Sequence, residues 1–223
     1  MSIAENLQRI LEELPKSVDL AVVSKNNSTP RVREVVEAGA KIIAENRLQE
    51  AKKKFRELDE IAGDFHNLWL KTEKHLIGHL QTNKAKDAVK LFDVVQSLDS
   101  LKLAVILNDE AEKIDKVLGV LIQVNISKEE AKFGVYPENL KNFYKDVKKF
   151  RYLKVGGLMT ITKNYDDPAL KKADFLKMKS LFDDFYSYAE IPSPILSMGM
   201  SADYKLAAEC GSNMVRVGSA IFQ

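Results

Sequence analysis

Cysteine is almost missing: the 223 residues contain one, Cys210, which cannot close an internal disulfide or build a thiolate zinc site. A charge surplus is missing as well. Lys plus Arg total 34 against 32 Asp plus Glu, leaving +2. That balance argues against nucleic-acid binding through a broad basic face, yet it leaves room for a local anion site. No apolar run approaches the ~20 residues of a membrane span. The N-terminus, MSIAENLQRILEELPKS, reads as an amphipathic helix over about residues 3–14, not as an apolar signal segment. The expectation is a cytoplasmic protein with no membrane and no nucleic-acid partner. Neither G-x-G-x-x-G nor G-x-x-x-x-G-K-[ST] occurs, which removes the usual sequence support for a dinucleotide or triphosphate. No proline- or serine-rich linker divides the chain. Length alone accommodates two small domains, but the unbroken pattern favours a single domain over 1–223.

What is present is repetition of one grammar. Short β-branched runs recur at Val18–Ser24, Ala40–Ala44, Lys74–Gly78, Asp93–Ser97, Gly119–Ile126, Tyr152–Leu158, Pro194–Ser197 and Asn213–Val217. They are near-continuously apolar, as parallel strands covered on both faces must be. Segments of helical spacing separate them, among them Arg31–Ala38, Arg47–Ile61, Leu101–Ile114 and Leu170–Ala189. Thr29-Pro30 and Asp167-Pro168 place a capping side chain before a proline, and Gly39 and Gly211 stand where left-handed C-terminal caps are expected. Eight strands and about eight helices in this length predict an α/β fold, a single closed (β/α)8 barrel of the TIM type. The seventh strand, bounded by Pro192 and Pro194, is the weakest.

Such barrels carry their active sites at the C-terminal ends of the strands. Lys25, Glu45-Asn46, Gly78-His79, Asn125, Met159-Thr160, Ser197–Ser201 and Arg216–Ser219 stand there. The small turn Ser197–Ser201 leads into a helix near Asp203–Glu209 and, with Gly218-Ser219, offers hydroxyl and N–H donors for a phosphate. Ordinary turn chemistry with Ser201 as an N-cap explains the same residues equally well. Lys25 can act as a Schiff-base lysine if its stem points into the barrel mouth, although most strand-end lysines are simply solvated. His75 and His79 are four apart, but they fall at a strand and no Glu completes HExxH, so no metal site is expected.

AVVSK, AENRLQE, HLIGHLQTNK, VLIQVNIS, GLMTI, LSMGMSAD and GSNMVRVGSAIF resemble, in order, the motifs of the pyridoxal phosphate homeostasis proteins, relatives of the alanine racemase N-terminal barrel domain. The resemblance runs from about Leu20 to Phe222. It implies pyridoxal 5′-phosphate held as a Schiff base on Lys25, with Arg216 facing the pyridine nitrogen. Ser201, Gly218 and Ser219 would hold the phosphate, and Asn46 and His79 would lie near the ring. Met200 and Met159 would line the pocket. The chain departs from the family in Asn26 after Lys25 and in Ala44, where a glycine is usual.

The resemblance implies a protein that buffers, carries or regulates the vitamin B6 cofactor pool, with amino acids and recipient pyridoxal-phosphate enzymes as further partners. It also makes a monomer the expected state. The alternatives are a racemase-like enzyme, for which no second catalytic base is evident, and a Schiff-base aldolase, which would need Glu45 as its acid–base partner at the mouth.

Overall fold

Alternation along each strand builds two cores. In the computed structural model, which describes all 223 residues, the strands are β1 (Asp19–Val23), β2 (Ile42–Glu45), β3 (Glu73–Leu76) and β4 (Val94–Leu98), followed by β5 (Leu118–Val124), β6 (Leu153–Thr160), β7 (Ile195–Met200) and β8 (Met214–Val217). They pair in chain order, all in parallel, and β8 closes on β1 with Ala21 opposite Arg216. Successive side chains of a strand point to opposite faces. Ala21, Ile42, Ala44, Ile77 and Met214 accordingly form a small cluster on the barrel's inner wall. Their neighbours Val22, Ile43, Leu76 and Val215 belong to a core of 55 buried residues shared with the helices. The expected eight-stranded barrel is the fold.

The helices are α1 (Ile3–Glu13), α2 (Thr29–Glu37), α3 (Leu48–Asp59), α4 (Asp64–Lys71), α5 (Ala85–Leu91), α6 (Leu101–Glu112), α7 (Leu140–Val147), α8 (Pro168–Ala189), α9 (Tyr204–Glu209) and α10 (Ser219–Phe222). The count is ten, not eight, because α1 precedes the barrel and the β2–β3 connection carries both α3 and α4. α1 begins with a capping box between Ser2 and Glu5. Its Asn6 amide donates to the carbonyls of Ile221 and Gln223, each at 3.1 Å, and so fixes α10 beneath the last strand's exit.

The local signals mostly hold. Asp167 caps α8 through the Ala169 N–H at 2.8 Å, with Pro168 at the first helical position. Gly39 and Gly211 have φ of 104° and 92°. At α2, however, Ser28 and not Thr29 is the N-cap, because the Thr29 hydroxyl is bonded to Glu57 on α3. The seventh strand is also longer than expected. It runs to Met200, which pairs with Arg216 across a register shift. Gly199 makes this possible: its φ is +94°, and a Cβ there would stand 2.5 Å from the Ala207 Cβ of α9.

Candidate functional site

A cavity of about 600 Å³ opens at the C-terminal mouth of the barrel, and Lys25, Asn46, His79, Met200, Ser201, Arg216, Gly218 and Ser219 all line it. The alternation that sends Ala21 and Val23 to the inner wall carries on to Lys25, the second residue beyond β1. The Lys25 amine takes part in none of the chain's ion pairs, and its only hydrogen-bonding group in use is the backbone carbonyl, which accepts from Asn27. Asn46 follows β2 and is locked against Gly78, where a Cβ would lie 2.1 Å from the Asn46 carbonyl oxygen. His79 bonds Asp99 through Nδ1 at 3.0 Å and stacks on Phe133, centroid to centroid 3.5 Å and nearly parallel at 9°. Met159 is fully buried and does not reach the cavity wall, contrary to expectation. His75 and His79 separate, one inside the barrel and one at its mouth.

The turn after β7 and the exit of β8 meet at one side of the cavity. The Ser201 hydroxyl oxygen accepts the Gly218 N–H at 3.1 Å, which leaves its own proton to donate. Ser201 is therefore not an N-cap; Asp203 holds that position at α9. Asp203 instead accepts the Met200 N–H at 2.6 Å and pairs at 3.0 Å with Lys171 of α8, both side chains largely buried. Lys171 thus cancels a carboxylate that would otherwise repel an anion at this turn.

Arg216 lies on the inner wall, two residues beyond Met214, and is 2% exposed. It donates to the Ser197 hydroxyl at 2.7 Å and to the Thr160 carbonyl at 2.8 Å. Burial pushes its guanidinium down to about 10, a fall opposed by the charge of Asp203, so it remains a cation at neutral pH.

Glu45 is where the sequence reading fails. It faces away from the cavity and is completely buried, with one carboxylate oxygen bonded at 2.5 Å to both Ser24 Oγ and Lys54 Nζ. Lys54, on α3, also donates to the Ser24 carbonyl at 2.7 Å. An aldolase acid–base partner at the mouth is therefore absent from that position. Reasoning from sequence also missed Arg31 and Phe133, which line the cavity from α2 and from the loop after β5. Nothing in their local sequence distinguishes them from a helix-start arginine and a loop aromatic.

The cavity wall holds Lys25, Arg31, Arg216 and His79 and no Asp or Glu side chain. A free lysine amine, a buried arginine and a cluster of hydroxyl and amide donors fit an anionic aldehyde with a ring acceptor, which is the chemistry of pyridoxal phosphate.

Comparison with known proteins gives a consistent result. The family model described as alanine racemase, N-terminal domain, matches residues 1–223. A pyridoxal phosphate homeostasis protein of Aquifex aeolicus is 36% identical, the match covering 100% of this chain and 98% of the relative. One from Pasteurella multocida is 35% identical over 99% of this chain and 93% of its own. PipY of Synechococcus elongatus, solved with PLP bound, superposes with a TM-score of 0.88 at 32% identity, covering 100% of both chains. An alanine racemase of Clostridium difficile, 16% identical with a TM-score of 0.75, shares the fold over 99% of this chain and 55% of its own.

Proposed function

The chain belongs to the family of pyridoxal phosphate homeostasis proteins, and on that footing we propose that it binds pyridoxal 5′-phosphate and buffers or delivers it within the cytoplasm. The observation that carries this reading is the convergence of Lys25, Arg216 and the Ser201–Gly218–Ser219 turn on one cavity whose wall holds no Asp or Glu side chain. Lys25 holds the aldehyde carbon as a Schiff base, its amine being free of any competing ion pair. Ser201 and the Ser219 N–H donate to the phosphate, while Gly218 donates to Ser201 and orients its hydroxyl. Asn46, His79 and Met200 line the space around the ring. The cofactor would supply an aldehyde carbon that condenses with an amine with loss of water and passes from one amine to another by exchange, which suits a carrier that loads from solution and unloads onto amino acids or recipient enzymes.

Arg216 weighs against efficient amino-acid chemistry wherever no second base compensates for it. A guanidinium that stays protonated donates to the ring nitrogen and leaves it uncharged, which weakens the ring as an electron sink. The feature that favours the racemase alternative is His79, whose Nδ1 is held by Asp99 and whose other nitrogen is left to act as a base. Turnover of a panel of L- and D-amino acids by the loaded protein separates the two readings, with Lys25→Ala and His79→Gln as controls. Trace or no turnover is expected. Racemization that depends on both residues at the usual enzymatic ~1–10³ per second would overturn the carrier reading.

A further inference from the structure

From the barrel's interior we infer that Ser197, Gln96 and His75 are positioning residues for Arg216, a one-way chain of hydrogen bonds that makes the site select a ligand with a lone-pair acceptor at the ring position. The inference rests on the cofactor reading above and deepens it.

Barrel interiors of this type are normally filled with branched apolar side chains. Here the chain crosses the lumen from β3 to β8. Arg216 donates to Ser197 Oγ at 2.7 Å, and Ser197 Oγ donates to Gln96 Oε1 at 2.7 Å. Gln96 Nε2 lies 2.8 Å from His75 Nδ1, and His75 Nε2 lies 3.0 Å from the carboxylate of Glu73. Ser197, Gln96 and His75 are all fully buried, so none can turn to water for another partner.

The directions are forced. Guanidinium nitrogens only donate, so Ser197 accepts from Arg216 and must give its own proton elsewhere. The Gln96 carbonyl takes that proton, which turns the amide nitrogen toward His75. An amide nitrogen cannot accept, so His75 Nδ1 is the acceptor and its proton sits on Nε2, where the Glu73 carboxylate receives it. A weak contact from Gln96 Nε2 to the Met214 sulfur at 3.3 Å agrees with this amide orientation. With the amide reversed, Ser197 would face two donors and hold a buried proton with no acceptor. That arrangement costs more than the chain it replaces. The guanidinium plane is therefore fixed at two nitrogens, by Ser197 and by the Thr160 carbonyl, while the residue forms part of the cavity wall.

The test is a binding cycle between protein variants and the ligand's ring atom. Kd is measured for pyridoxal phosphate and for its carbocyclic analogue, in which C–H replaces the ring nitrogen, on the wild type, Ser197→Ala, Gln96→Leu and His75→Leu. The wild type is expected to prefer the nitrogen-bearing ligand by about tenfold or more. Ser197→Ala and Gln96→Leu are expected to shrink that preference to within about twofold, and His75→Leu to reduce it less, being one link further away. The preference for pyridoxal phosphate over pyridoxal, set by the separate Ser201 turn, should stay unchanged in all three. A purely structural role would lower thermal stability and leave the nitrogen preference intact. Folded variants that keep the full preference overturn the inference alone, and Ser197→Ala, the smallest change, serves if the larger ones do not fold. A wild type indifferent to the ring nitrogen overturns it too. A wild type that binds neither ligand overturns the cofactor reading along with it.

Discussion

Pyridoxal, which lacks the phosphate, is expected to bind this chain more weakly than pyridoxal phosphate by roughly two to four orders of magnitude. The donors on the Ser201–Gly218–Ser219 side of the cavity explain the size of the effect. Each hydrogen bond to a charged group is worth about 1.5–3 kcal/mol, and the free Ser201 proton and the Ser219 N–H supply two. Lys171 contributes indirectly. Its ion pair with Asp203 at 3.0 Å keeps a buried carboxylate neutralised within the same turn. Lys171→Met should therefore narrow the preference for the phosphorylated ligand, with little change in affinity for pyridoxal. Titration of both aldehydes into the wild type and this variant measures the two ratios. Equal affinity of the wild type for both ligands would remove the phosphate site.

Lys54→Met is expected to destabilise the fold by about 3–5 kcal/mol, the usual result of stranding one partner of a buried ion pair. Glu45 is completely buried, and its second carboxylate oxygen already has no hydrogen-bond partner. Without Lys54 the carboxylate keeps only the Ser24 hydroxyl. Replacing both partners, as Glu45→Leu with Lys54→Met, should recover much of the stability, because an apolar pair carries no desolvation cost. Urea denaturation of the single and double variants at pH 7 measures both effects. A single variant as stable as the wild type at pH 7 would show that the pair is not buried as described.

These two sites differ in how readable they are. The barrel is legible because parallel strands covered on both sides must be apolar along their length, so eight such runs stand out. The cavity residues are legible because the fold fixes where strand ends lie, and Lys25 or Arg216 needs only its place at such an end to be noticed. Lys54 is not legible. It sits in the run Lys52-Lys53-Lys54, where three adjacent lysines look alike, and only the packing of α3 on β2 buries the third and leaves the others exposed. Glu45 reads as a mouth carboxylate for the same reason. Its position at a strand end is visible, but the face it points to depends on register. Gln96 escapes, and Ser197 is misread as part of the phosphate turn, because a polar residue in an apolar run carries no sign of the partner that waits across the lumen.

The position of the covalent linkage is the most direct measurement. Protein loaded with pyridoxal phosphate, reduced with borohydride, digested and mapped by mass spectrometry should carry the pyridoxyl group on the peptide containing Lys25. The visible absorbance should disappear in Lys25→Ala while the far-UV signature of the barrel persists. A pyridoxyl group found mainly on another lysine, or absorbance that survives in Lys25→Ala, would contradict the site.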